Sequence, residues 1–205
     1  MWSAALDPVA AGRARAALLS LAPRRPARTS PTRGQTMNLR LLAVTPSDLP
    51  LIERWLGADH VRRFWGDPGA NFALLRAPAA PGHWRALIAA DGRKVGLVLW
   101  QQPTRAQLDQ AGLFDLSERA IDIDIMIGER DALGRGIGSA TIDVVARAAL
   151  ADPAVPLVMA AAHVDNPASQ RAFAKAGFRR DREFDDRPYG RHLLMLRARE
   201  SPAGG

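Results

Sequence analysis

From Ala120 to Gly128 apolar and polar positions alternate without a break: Ile121, Ile123, Ile125 and Ile127 fall on one side, Asp122, Asp124 and Met126 on the other. Period two predicts a strand. The two carboxylates predict that one of its faces is partly open, as in an antiparallel or mixed sheet. Upstream, residues 39–44 read as a first strand. Thr45-Pro-Ser-Asp48 then starts a helix whose Leu49, Ile52, Trp55 and Leu56 recur on one face. A short second helical stretch runs from His60 to Trp65. Segments 84–90 and 93–100 flank Asp91-Gly92, a hairpin turn signal. Residues 101–119 read as a long polar loop, a kind of segment that often carries function.

Downstream, an amphipathic helix is expected over 139–150 and a strand over 155–162. Asn166 suits an N-cap and Pro167 the first helical position. Ala168, Arg171, Ala172 and Lys175 follow at helical spacing, and Gly177 supplies the left-handed stop. A final hairpin spans about 179 to 199. The predicted order is strand, helices, three strands, helix, strand, helix, two strands, with no internal repeat.

Composition narrows the function classes. A chain of 205 residues with 47% hydrophobic content can bury a full core. The net charge of +7 is uneven: residues 1–36 hold six arginines against Asp7, a net +5, which leaves +2 on residues 37–205. A near-neutral body without interleaved aromatic and basic residues argues against a nucleic-acid surface. Residues 1–36 are expected to be a disordered or mis-assigned extension, with Met37 as the start of the folded part. No apolar run of 18 residues suggests a membrane span. The chain has no cysteine, and its four histidines lack metal-ligand spacing. No Gly-x-Ser-x-Gly elbow is present.

Between the alternating strand and the helix after it lies Asp131-Ala-Leu-Gly-Arg-Gly-Ile-Gly-Ser139. Glycines at alternate positions let the backbone turn tightly, and the helix start beyond offers free N–H groups and partial positive charge. The run is neither a Walker loop nor the Gly-x-Gly-x-x-Gly dinucleotide fingerprint. Taken alone, it is a pyrophosphate cradle or a glycine-rich turn without a ligand.

Together, Leu-Gly-Arg-Gly-Ile-Gly-Ser and Asn166-Pro-Ala-Ser-x-Arg-Ala-Phe-x-Lys-Ala-Gly-Phe178 resemble the acetyl-CoA and catalytic-helix motifs of the GCN5-related N-acetyltransferase (GNAT) family. Leu133 stands where that family usually has Gln or Arg. From Asp48 to Phe178 the pattern is similar to the branch of aminoglycoside 6'-N-acetyltransferases and siderophore-assembly acyltransferases. The resemblance implies an α/β (α+β) GNAT fold: a mixed, mostly antiparallel sheet of about seven strands, flanked by helices and splayed between the fourth and fifth. It implies an acetyltransferase domain over 37–200, followed by a tail, 201–205. It also implies acetyl-CoA as acyl donor, with no metal. The expected donor-binding residues are Ile125, Met126 and Ile127 of the strand, Leu133, Gly134, Arg135, Gly136, Ile137, Gly138 and Ser139 of the loop, and Asn166, Ser169, Phe173 and Lys175 of the later helix.

For catalysis the resemblance points to Asp124, where the aminoglycoside branch has its base, and to His163 on the neighbouring strand as proton relay. A solvated strand face for Asp124 and a backbone hydrogen bond for His163 are the plainer alternatives. The tyrosine that often protonates the departing thiolate is replaced by Phe173, and the only tyrosine is Tyr189. Asp109, Asp115, Glu118, Asp122, Asp185 and Asp186 predict a cleft suited to a polycationic amine. Asp115, Asp122, Asp185 and Trp65 are the expected acceptor contacts, and Trp55 and Trp84 are further candidate apolar walls. The expected partner is a small amine, as in aminoglycoside resistance, for a cytoplasmic monomer or homodimer without nucleic-acid or membrane partners. Siderophore-type acylation, peptide acetylation and a non-catalytic acyl-CoA-binding module remain open.

Overall fold

The computed structural model describes residues 37–186 and 189–199; the expectations for residues 1–36 and 201–205 lie outside it. The strands are β1 (Leu39–Leu42), β2 (His83–Ala90), β3 (Arg93–Gln101), β4 (Ile121–Ile127), β5 (Leu157–His163), β6 (Arg179–Asp186) and β7 (Gly190–Ala198). The helices are α1 (Leu49–Gly57), α2 (Asp59–Trp65), α3 (Pro68–Arg76), α4 (Arg105–Gln110), α5 (Ile137–Leu150) and α6 (Pro167–Lys175). Asp91 and Gly92 both have positive φ, 51° and 82°, as the tight β2–β3 hairpin turn requires.

All seven strands form one mixed sheet in the order β1-β2-β3-β4-β5-β7-β6. Among the described strands the only parallel pair, β4–β5, is joined at Ile121↔Val158 and Asp122↔Met159, whereas β3 accompanies β4 from Asp122 to Ile127. Beyond Asp122 the fourth and fifth strands therefore part, and the β5-facing edge of β4 has no strand beside it. In the last hairpin the second strand takes the inner place. Leu193, Leu194 and Met195 of β7 are buried, while β6 carries Arg179, Arg180, Asp181 and Arg182. Charged residues suit a sheet edge and apolar ones its interior.

Both faces of the sheet are covered. Ile88, Val98, Ile121 and Ile123 pack with Ile142 and Val145 of α5 and Phe173 of α6. On the other side, Leu87, Leu97 and Met126 lie under Ile52, Trp55 and Leu56 of α1 and Leu75 of α3. At the far end of that second face, Met159 and Leu194 pack with Leu108, Leu113 and Leu116. Fully burying each such side chain contributes about 1.5–3 kcal/mol.

The structure departs from the sequence reading in two places and narrows it in a third. The Asp122 side of β4 is open only at Asp124, because one apolar cluster closes it at Met126 and another at Met159. Asp122 is 6% exposed, and Asp124 alone of the two stands in the gap between the clusters. The polar-looking segment 101–119 holds α4, opened by a capping box between Thr104 and Gln107, and supplies the apolar side chains of the third cluster. Helix α3 was not expected, although Asp67-Pro68 carries its signal: Asp67 accepts the Ala70 N–H at 2.6 Å, and Pro68 opens the first turn. Smaller shifts are that α5 starts two residues earlier than the pattern suggested and β5 two residues later. No described helix is long and apolar enough to cross a membrane.

Candidate active site

Where β4 and β5 part, a cleft of about 500 Å³ opens across the sheet. One end is built by the loop between β4 and α5. A short 3-10 turn over Arg130–Ala132 is followed by Gly134 at φ +73° and by Gly136 at φ +80°, the latter capping α5. No atom lies within 4 Å of a β-carbon placed on either glycine, so the requirement is torsional, not one of space. The first N–H groups of α5, from Ile137, Gly138 and Ser139, therefore sit on the cleft wall without a preceding helical turn to satisfy them. Ser139 Oγ donates to the Gly136 carbonyl at 3.0 Å, which tightens the turn.

Leu133, 44% exposed, lies on the same wall. Arg135 does not: its guanidinium pairs with Asp91 of the β2–β3 turn at 3.4 Å, away from the cleft lining. Along the floor run Ile125, Met126 and Ile127 of β4, and across from them Asn166, Ser169 and Lys175 of α6. Asn166 caps α6 by accepting the Ser169 N–H at 3.1 Å. Phe173 borders the cleft but is 3% exposed, its ring edge-on to Phe178 at 5.2 Å. His60 of α2 donates from Nε2 to the Ile127 carbonyl at 3.0 Å, supplying part of what β5 does not.

The opposite end of the cleft is acidic. Asp122 and Asp124 of β4 and Asp186 of β6 share it with His163 of β5 and His192 of β7. Oδ1 of Asp122 is buried without a hydrogen-bond partner, although the Gln101 side chain lies close enough to lower its pKa somewhat. Burial pushes the Asp122 carboxyl well above the usual carboxylate range, and the charge of Asp124 pushes it further. Asp124 is reachable by solvent yet surrounded by protein at the cleft floor. Burial raises its pKa, Asp186 adds to that, and His192 opposes it. Asp186 is raised by burial as well, again opposed by His192. Crowded carboxylates of this kind gain from an incoming cation, which lets all of them ionise.

The other expected acceptor contacts divide between the cleft and the rest of the fold. Trp65 is on the cleft wall with Phe64 and Tyr189. Asp115 is not; it is ion-paired with Arg182. Asp185 lies opposite Arg191 in the β6–β7 ladder, off the wall, and of the two hairpin acids only Asp186 lines the cleft. Asp109 and Glu118 are held by the Arg105 side chain and main chain. Trp55 is a core residue, and Trp84 stacks on Trp100 at 6.3 Å. Asp186 is one of the acids expected at the cleft, whereas sequence reasoning passed over His192, His60 and Phe64 as site residues. For His192 the only signal is its register opposite His163 in the β5–β7 pair, which local pattern does not reveal. Among the described residues, no group of three His, Cys, Asp or Glu is placed to hold a metal ion.

The same layout recurs in known structures. AAC(6')-Ib in complex with Parmomycin and acetyl-CoA superposes with a TM-score of 0.66 at 20% identity, over 81% of this chain and 95% of that one. Aminoglycoside acetyltransferase AAC(6')-Ib with coenzyme A and kanamycin gives 0.66 at 20% identity, over 80% and 96%. A spermidine N-acetyltransferase chimera from Vibrio cholerae and hSSAT gives 0.58 at 14% identity, over 78% and 94%. At such identities the likeness is one of fold. No curated protein matches the sequence. A family model described as an acetyltransferase (GNAT) domain matches residues 45–186, well over half the chain. This chain therefore belongs to the GNAT acetyltransferase family.

Proposed function

We propose that this N-acetyltransferase moves an acetyl group from acetyl-CoA to an amine of a small polycationic acceptor, most like an aminoglycoside, by direct attack in a ternary complex. The observation that carries this reading is one continuous cleft with a glycine-bounded helix N-terminus at one end and three carboxylates at the other. Free N–H groups and the α5 dipole suit a pyrophosphate, and the left-handed glycines leave the approach unobstructed. The unpaired edge of β4 suits a strand-like arm carrying amides.

When bound, the donor supplies a thioester carbonyl as electrophile. The chain's own groups do the remainder. A main-chain N–H near Ile125 or Met126 is a candidate oxyanion donor, a role that contributes about 2.7–4 kcal/mol to the transition state in other enzymes. Asp124 anchors the acceptor ammonium or draws its proton, with His163 beside the proton path. Asp122, Asp186 and Trp65 favour a cationic, ring-bearing acceptor. Phe173 offers no hydroxyl where the family often has one. A thiol of pKa about 8.5 departs tolerably without an acid. This reading makes the protein an aminoglycoside-modifying, resistance-type activity in the cytoplasm.

Asp124 and His163 exchange the residue types of the siderophore branch, which supports acylation of a hydroxylysine-type amine as the second reading. The buried phenyl ring of Phe173 favours the third, an acyl-CoA-binding module without turnover. Calorimetry with coenzyme A tests the donor site. Thiol release from acetyl-CoA with kanamycin, spermidine and hydroxylysine then separates the three: release with kanamycin supports the first, release with hydroxylysine alone the second, and binding without release the third.

A further inference from the structure

His163 and His192 are direct cross-strand partners on β5 and β7, and their rings meet edge to face at 5.2 Å. Each ring is tied at Nδ1 to nearby main chain, and the two ties are of opposite kind. The Asp165 N–H donates to His163 Nδ1 at 3.1 Å. That nitrogen therefore carries a lone pair, and in the neutral ring the proton sits on Nε2. The Gly190 carbonyl, 2.9 Å from His192 Nδ1, can only accept. His192 therefore carries its proton on Nδ1 and presents a lone pair at Nε2. Local turns thus hold one imidazole as a donor and its neighbour as an acceptor at the same end of the cleft.

His192 is 8% exposed and packs between His163 and Phe184, yet it borders the cleft. Among the described residues nothing hydrogen-bonds its Nε2. Titratable groups on the wall of the same cleft are Asp122 and Asp124 of β4, His163 of β5, Asp186 of β6, Tyr189 before β7, His60 of α2, and Arg171 and Lys175 of α6. Asp124 and Asp186 lie close enough for the charge of His192 to be felt by both.

We propose that His192 is the catalytic base: its Nε2 takes the proton of the acceptor ammonium, while Asp124 and Asp186 hold first that ammonium and then the imidazolium. The inference rests on the acetyl-transfer reading above and adds the proton's destination to it. His163 can accept a proton only at Nδ1, by giving up the Asp165 N–H bond, so it positions the neighbouring groups instead. The acceptor nitrogen loses one proton to His192 and forms the C–N bond as the C–S bond breaks. Its second proton goes to the departing sulfur, and His192 returns the first to solvent. One amide, one thiol and one released proton result.

Two measurements on the full chain test this. Long-range proton–nitrogen correlation spectra of protein labelled at histidine nitrogen need no acceptor. They are expected to show neutral His192 as the Nδ1–H tautomer and neutral His163 as the Nε2–H tautomer; an Nε2–H proton on neutral His192 overturns the proposal. With kanamycin and acetyl-CoA, His192→Gln and His192→Ala are each expected to lose about 100-fold or more in kcat/KM. The wild-type dependence of rate on pH should change in both variants, and added imidazole should restore part of the rate to His192→Ala. Coenzyme A binding by calorimetry should stay at the wild-type level in both variants. A wild-type rate and pH profile in His192→Gln overturns the base assignment while leaving acetyl transfer intact. No binding of coenzyme A to the unsubstituted protein overturns the broader reading, and the spectra still decide the tautomers.

Discussion

Trp55 and Gly128 are in such close contact that a β-carbon at position 128 would fall 2.0 Å from Cγ of the indole. Next to that contact, the indole Nε1 donates to Glu129 Oε1 at 2.8 Å. The pair fixes the end of β4 against α1, and with it the start of the glycine loop. The hydrogen bond to the indole holds the Glu129 carboxyl below its ordinary range, with burial opposing and Arg54 assisting.

Gly128→Ala is therefore expected to destabilise the fold by about 1–3 kcal/mol, the usual range for overpacking a filled core. Urea unfolding followed by tryptophan fluorescence measures it. An unchanged midpoint would mean that α1 withdraws from β4 freely, which the packing of Trp55 contradicts.

Gly136→Ala tests the loop without touching the core. Nothing lies near a β-carbon there, so the cost is that of holding an L-residue at φ +80°, about 1–2 kcal/mol. If the loop relieves that strain by moving the first N–H groups of α5, coenzyme A affinity falls by roughly tenfold, with little change in the unfolding midpoint. Calorimetry and unfolding together separate the two outcomes.

Asp124→Asn and Asp115→Asn should behave differently although both carboxylates precede the glycine loop. Asp124 stands in the cleft, and its loss is expected to lower thiol release by about 100-fold or more with donor binding retained. Asp115 is tied to Arg182 outside the cleft, and its variant should turn over at the wild-type rate. Equal losses at the two positions would detach the acceptor site from the β4–β5 gap.

The buried Asp122 gives stability an unusual pH dependence. Its pKa is raised in the folded protein, so between the ordinary carboxylate range and that higher value the folded state binds more protons than the unfolded one. Its contribution makes stability fall as pH rises through this window. Asp143 has the opposite sign: burial raises its pKa, but Arg147 and Arg197 outweigh that and hold it low. Asp122→Asn should remove the downward slope and stabilise the protein near neutral pH by about 1–3 kcal/mol, while weakening binding of a cationic acceptor. Unfolding midpoints from pH 5 to 8 in both proteins check the sign.

Local chemistry carried most of the element reading. Alternation marked β4, the Asp91-Gly92 turn marked the β2–β3 hairpin, and Asn166-Pro167 with Gly177 marked both ends of α6, because each signal is satisfied within a few residues. The Asp67 cap of α3 and the Thr104–Gln107 box of α4 were equally local, but lay in stretches whose polar surface looked like loop.

What the amino-acid order determined by itself, then, is the seven strands and most of the helices, the glycine loop at the head of α5, and the presence of acids and histidines near the strand ends. Only the tertiary structure decided which of them share a cleft. Asp186 and not Asp185, His192 beside His163, Asp122 sealed and Asp124 open: each depends on strand register and on which helices cover a face. Register is set by apolar packing between residues distant along the chain, and a shift of one residue turns every side chain to the other face.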